Sequence, residues 1–155
     1  FKAIKTDQID LVRTTLHPHN IDIINNKFGG QTPLMFAVLA GSIESVKLLL
    51  ERGADVSKPE ADGFTPLHGA GFQGRYEIAQ ILIDHGLDPM QTHEDGFTPM
   101  HRACWGQQAR HTQTVEVFLK NGVAADIKAG DGKTCAEMTR NEATRALVGG
   151  YKEEV

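Results

Sequence analysis

The residues that could do chemistry are few, and most of them recur at one interval. His68 and His101 lie 33 residues apart, as do Asp55 and Asp88. The histidines could bind a metal only if His85 or His93 converged with them, because a metal site needs several ligands around one point. The aspartates could act as an acid–base pair only if both faced one substrate. Recurrence at a fixed interval argues against both readings, since successive copies of a unit hold equivalent residues apart. Asp55 and Asp88 are expected to bond loop backbone instead, as short polar side chains do. Cys104 and Cys135 form neither a metal set nor a disulfide framework by number and spacing, and both read as packing residues. No nucleophile elbow or phosphate-binding glycine loop occurs. No catalytic residue, metal ligand or cofactor is assigned, and the chain reads as non-enzymatic.

The interval itself is the informative feature. Asp62-Gly63-Phe64-Thr65-Pro66-Leu67-His68-Gly69-Ala70 returns as Asp95-Gly96-Phe97-Thr98-Pro99-Met100-His101-Arg102-Ala103. Looser copies stand at Gly30–Ala37, with Thr32 and Pro33, and at Asp131–Ala136, with Thr134 and Cys135. The threonines are spaced by 33, 33 and 36 residues. A period near 33 carrying Thr-Pro-Leu-His-x-Ala is a solenoid signature. On these residues the chain resembles the ankyrin-repeat family over almost its whole length.

The resemblance implies an all-α solenoid of stacked helix-turn-helix units joined by β-hairpin-like loops. Five helix pairs are expected in one domain over 1–148, with units at about 1–31, 32–64, 65–97, 98–133 and 134–148, and a loose tail over 149–155. The first segment opens in mid-repeat at Phe1, and Thr14 and Thr15 stand where the next unit has leucines. That pattern fits an N-terminal cap, or a stack that continues upstream. The fifth unit is degenerate, which fits a C-terminal cap.

Local chemistry supports each boundary. Thr32, Thr65 and Thr98 are natural helix N-caps, and Pro33, Pro66 and Pro99 suit the first helical position, where a missing N–H costs nothing. Gly41 and Gly74 end the first helices. Val46, Leu48, Leu49 and Leu50, then Ile78, Ile81, Leu82 and Ile83, drive second helices apolar on more than one side. The second helix of the last unit is expected over Glu142–Val148, stopped by Gly149-Gly150. Three extra residues within 107–113 are expected to lengthen the connection between the helices of the fourth unit.

Composition excludes several classes. A net charge of -4, with no stripe of Lys and Arg, argues against nucleic-acid binding. No apolar run reaches membrane-spanning length, so no membrane insertion is expected. Two cysteines without a bridge fit a reducing intracellular compartment, cytoplasmic or nuclear.

In the family, the motif histidine ties neighbouring units through backbone, and His68 and His101 take that role by resemblance. Targets of the family dock on the hairpin tips and the concave face of the first helices. The tip position before the threonine holds Gln31, Phe64, Phe97 and Lys133, and the concave position holds Leu39, Phe72 and Trp105. Large aromatics at both places in successive units are typical interface anchors. Phe64, Phe72, Phe97 and Trp105 are expected to line one surface with Leu39, with Arg75 and Arg102 near it and Gln73, Glu94 and Asp95 at its rim. The competing reading folds the phenylalanines back onto neighbouring hairpins. A second contact through Arg110 and His111 is a lesser expectation. The chain thus reads as a protein- or peptide-binding module, monomeric as an isolated domain. The alternative is a regulatory or targeting domain of a larger enzyme, channel or transcription regulator.

Overall fold

A computed structural model describes residues 24–151. The expected helices of the first unit, with Phe1, Thr14 and Thr15, lie outside the described residues, as does the end of the tail. Four helix pairs follow one another: α1 (Pro33–Ala40) with α2 (Ile43–Glu51), α3 (Pro66–Gln73) with α4 (Tyr76–Asp84), α5 (Pro99–Cys104) with α6 (Ala109–Lys120), and α7 (Cys135–Met138) with α8 (Glu142–Gly150).

The first helices begin as the threonines dictate. Thr32, Thr65 and Thr98 keep extended backbone, and their hydroxyls accept from the N–H of Met35, His68 and His101, with Pro33, Pro66 and Pro99 starting each helix. Gly41 ends α1 in the left-handed region at φ 77°, where a side chain would be strained. The chain then reverses into the second helix within two residues.

Two layers result. First helices stack on first helices, and second helices on second helices. Leu34, Leu67 and Met100 fill the inner layer, and Val46, Leu49, Ile78, Leu82, Val115 and Phe118 run through the outer one. The inner stack is close: a Cβ on Gly71 would sit 2.2 Å from the Pro99 carbonyl oxygen. One unit further on, the same positions are Cys104 and Cys135. These two cysteines are joined by a disulfide across units, with Cα atoms 5.6 Å apart. They are buried, as expected of packing residues, but the expectation of no bridge is wrong. Spacing alone missed the pair because its proximity comes from stacking.

Two further expectations need correction. The extra residues of the fourth unit enter the second helix rather than only the connection, so α6 has 12 residues where α2 and α4 have 9. At the C-terminal end, Gly149-Gly150 does not stop α8, which continues through Gly150 to Tyr151 as its cap. Asn141 anchors the start of that helix by accepting from the N–H groups of Ala143 and Thr144, and Leu147, Val148 and Tyr151 pack against the core.

The loops between units are tight turns rather than strands among the described residues. Glu60 N–H donates to Phe64 O, His93 N–H to Phe97 O and Ala129 N–H to Lys133 O, at 2.8–3.0 Å. Neighbouring loops touch through backbone as well, Ala61 to Gly30 and Gly130 to Gly96. No helix among the described residues is long and apolar enough to cross a membrane.

Candidate partner-binding face

The motif histidines build the floor beneath this face. His68 is 2% exposed, and its Nε2 lies 3.2 Å from the carbonyl oxygen of Phe97 in the next loop. His101 repeats the bond to Ile127 O at 3.1 Å. A carbonyl only accepts, so Nε2 carries the proton in each ring. Nδ1 then accepts from the threonine hydroxyl, at 2.8 Å in both copies. This arrangement requires a neutral imidazole. Burial lowers the pKa of His68 to about 4, helped by the positive charge of Arg102 and His93, and burial lowers that of His101 too.

In the flanking units among the described residues, carboxylates take the place of the imidazole on the motif threonine. Glu60 accepts from both the N–H and hydroxyl of Thr32, each at 2.9 Å, and burial raises its pKa despite those bonds. Glu137 accepts from Thr134 N–H at 2.8 Å. Asp55 and Asp88 do bond loop backbone, to the N–H groups of Ser57 and Met90. Among the described residues no group of three or more His, Cys, Asp and Glu is placed to hold a metal.

Above the floor, a groove of ≈ 360 Å³ runs between the first helices, lined by Met35, Leu39, Phe64, Gly69, Phe72 and Arg102. Gly69 keeps it open: a Cβ there would meet Met35 Sδ at 2.7 Å. Gln73 stands on its border. Phe72 projects from its edge with 58% of its surface exposed, and Trp105 on the next unit is 41% exposed.

Arg102 joins the groove to Trp105. Its guanidinium lies 4.9 Å from the Phe64 ring centre, 5.1 Å from Phe97 and 4.8 Å from Trp105. Asp95 pairs with it. Burial would raise the pKa of Asp95, but hydrogen bonds from Arg102, Phe97 N–H and His93 hold it down at about 2. Arg102 is only 7% exposed, so it acts as the hub of the aromatic set rather than as a free surface contact.

The two phenylalanines are half-buried. Phe64 stacks on His93 at 4.0 Å, and Phe97 leans on Trp105 at 5.2 Å. Packing onto the neighbouring loop therefore accounts for much of Phe64, while Phe72 and Trp105 are the outward members. Arg75 does not join this face. Its Nη2 donates to Leu39 O at 3.0 Å from the helix-turn side of the stack. His111, expected as a possible contact, is 7% exposed and bonds to Phe72 O at 3.2 Å. Arg75 and His111 thus make the same tie one unit apart, each to the backbone of a concave-face residue.

A family model for ankyrin repeats in three copies matches residues 1–93 and 60–131. The chain belongs to the ankyrin-repeat family. No curated protein matches it. Ankyrin repeats are generally protein–protein interaction modules and typically non-catalytic.

Within this ankyrin stack, sequence reasoning missed three residues that shape the face: Glu60, His93 and Arg102 as a hub. Glu60 and His93 occupy one repeat position, 33 residues apart, and each reaches back to the preceding unit, His93 through Asp62 O at 2.8 Å. The position of Arg102 carries Phe36 and Gly69 in the earlier ankyrin units, and that variability beside aromatics at 97 and 105 was the available signal.

Proposed function

We propose that this ankyrin domain is a non-catalytic docking module that holds a segment of another protein along its concave face. Phe72 and Trp105 are its outward anchors, the groove at Met35, Leu39 and Phe64 takes an apolar side chain, and Arg102 sets the aromatic geometry. The observation that carries this reading is the exposure of Phe72 and Trp105 beside an open apolar groove in a face otherwise well packed. Exposed aromatic patches with polar borders mark interaction sites, and buried aromatics supply most interface energy. The stacked units are already rigid, so little ordering cost falls on the domain. The domain itself acts as a monomer. The disulfide removes the sequence-based ground for a reducing compartment, because such bonds persist in oxidising ones.

The test is selection of binders from a random-peptide display library, followed by titration of the Phe72→Ala, Trp105→Ala double variant. Selected peptides should lose at least roughly tenfold in affinity while the double variant stays folded, its melting temperature falling only by the lost Trp105 contacts to Phe97 and Arg102. Equal affinity for both proteins would contradict the assignment.

A further inference from the structure

The helix-turn side of the stack carries a feature that the docking function does not use. Arg75 and Arg110 come from successive units and lie close enough for their charges to oppose each other. Among the described residues neither forms an ion pair. The Nε of each is buried without a hydrogen-bond partner. Both line a recess of ≈ 160 Å³ that also touches Gly41, Gly74, Tyr76 and Glu77.

The fold forces this arrangement. Arg75 lies flat over Gly41, where a Cβ would come within 2.6 Å of its guanidinium, and one Nη is spent on Leu39 O. Arg110 crosses Gly74 with its aliphatic stem, where a Cβ would stand 2.8 Å from its Cγ. Arg110 belongs to the extra turn of α6, so the longer helix delivers a second cation beside the first. Cations from two units lining one recess repel each other, and because both Nε atoms are sealed, the Nη groups are the donors an anion would meet. Their arrangement suits an anion with several acceptor oxygens.

The first turn of α4 lines the same recess. Tyr76, Glu77 and Ile78 form the first turn of α4, and helix geometry leaves their N–H groups without partners in the helix. The cap position is Arg75, whose side chain makes no capping bond. Glu77 is the one carboxylate lining the recess, and it is engaged by the Tyr76 hydroxyl. Two arginines without acidic partners and a helix N-terminus thus line one recess, a combination that suits a multiply charged oxyanion better than a single carboxylate.

We propose that Arg75, Arg110 and the first turn of α4 form a binding site for a phosphate-class oxyanion, distinct from the concave docking face. The phosphate could be free or displayed on a protein chain, and the chemistry of recognition is the same.

The test is calorimetric titration of the whole chain with inorganic phosphate at constant ionic strength, beside Arg110→Gln and Glu77→Gln. Arg110→Gln should lower phosphate affinity at least roughly tenfold, in line with loss of a charge-assisted fork. Its melting temperature without phosphate should not fall, because Arg110 has no acidic partner to lose. Glu77→Gln should tighten binding by removing the one opposing charge. Acetate should bind more weakly than phosphate in the unaltered protein. A short phosphoserine peptide binding more tightly than phosphate would assign the site to a phosphorylated segment, and one binding no more tightly would assign it to the free ion. Equal phosphate affinity in the unaltered protein and Arg110→Gln, or acetate matching phosphate, would overturn the proposal.

Discussion

The inner and outer layers of this stack are held by different mixtures of forces. The second helices meet mainly through apolar side chains such as Leu49, Leu82 and Phe118, with a few exposed or half-buried polar pairs such as Asn121 to Gln80 and Thr112 to Thr144. The first helices meet through directional links: two imidazole-to-carbonyl bonds, a carboxylate on Thr32 and a disulfide. The lesson is a division of labour. Apolar burial drives stacking, and the inner links set how each unit is seated on the next. The docking face lies on the inner layer, so its geometry depends on those links.

Breaking the covalent link should show the largest effect. Reduction, or the Cys104→Ser, Cys135→Ser double variant, opens a loop spanning 31 residues in sequence. Loop entropy assigns such a closure about 3–4 kcal/mol. Chemical denaturation should detect that loss in the C-terminal units first. An unchanged unfolding curve after verified reduction would show that the inner layer does not depend on the bridge.

Lowering the pH should sharpen the comparison through the histidine links. The folded-state pKa of His68, about 4, lies below its ordinary 6.5. The unfolded chain therefore binds the proton first, and stability present above pH 6.5 is lost as pH falls through about 4. The full loss from His68 is about 3 kcal/mol, of which about 2 kcal/mol is gone by pH 5. His101 acts in the same direction. His93 opposes them: burial alone would lower its pKa, but bonds to Asp62 O and Asp95 outweigh burial and raise it, so its contribution is lost as pH rises. Glu60, with a pKa raised by burial, also opposes them at the acid end. Denaturant melts from pH 7.5 to 5 should show a net fall in stability, and His68→Gln should flatten it. A pH-independent curve for the unaltered protein would contradict the neutral-imidazole assignment.

The fold was legible where chemistry is local and repeated. Thr65, Pro66 and His68 act within one turn of helix, so a copy at 33 residues could be read directly. Contacts between units were harder, because they depend on which positions stacking superposes. Gly71 against Pro99 and Cys104 against Cys135 are one contact in successive units. The replacement of proline by Cys135 could have revealed the bridge once that register was known. Arg75 was misplaced because the reversal at Gly74 carries it to the far edge of the stack. Arg102 looked like a surface cation because aromatic burial of a guanidinium needs three rings from different segments. Phe72 and Trp105 could be read together because they fall at one repeat position, at the end of the first helix, and that position repeats with the motif.

The most direct measurement is an amide and indole shift map of the isotope-labelled chain titrated with a peptide selected on the intact domain. The account predicts that changes cluster at Leu39, Phe64, Phe72 and the Trp105 indole, with α2, α4 and α6 nearly silent. Changes confined to the second helices, with the Trp105 indole unmoved, would contradict docking on the concave face.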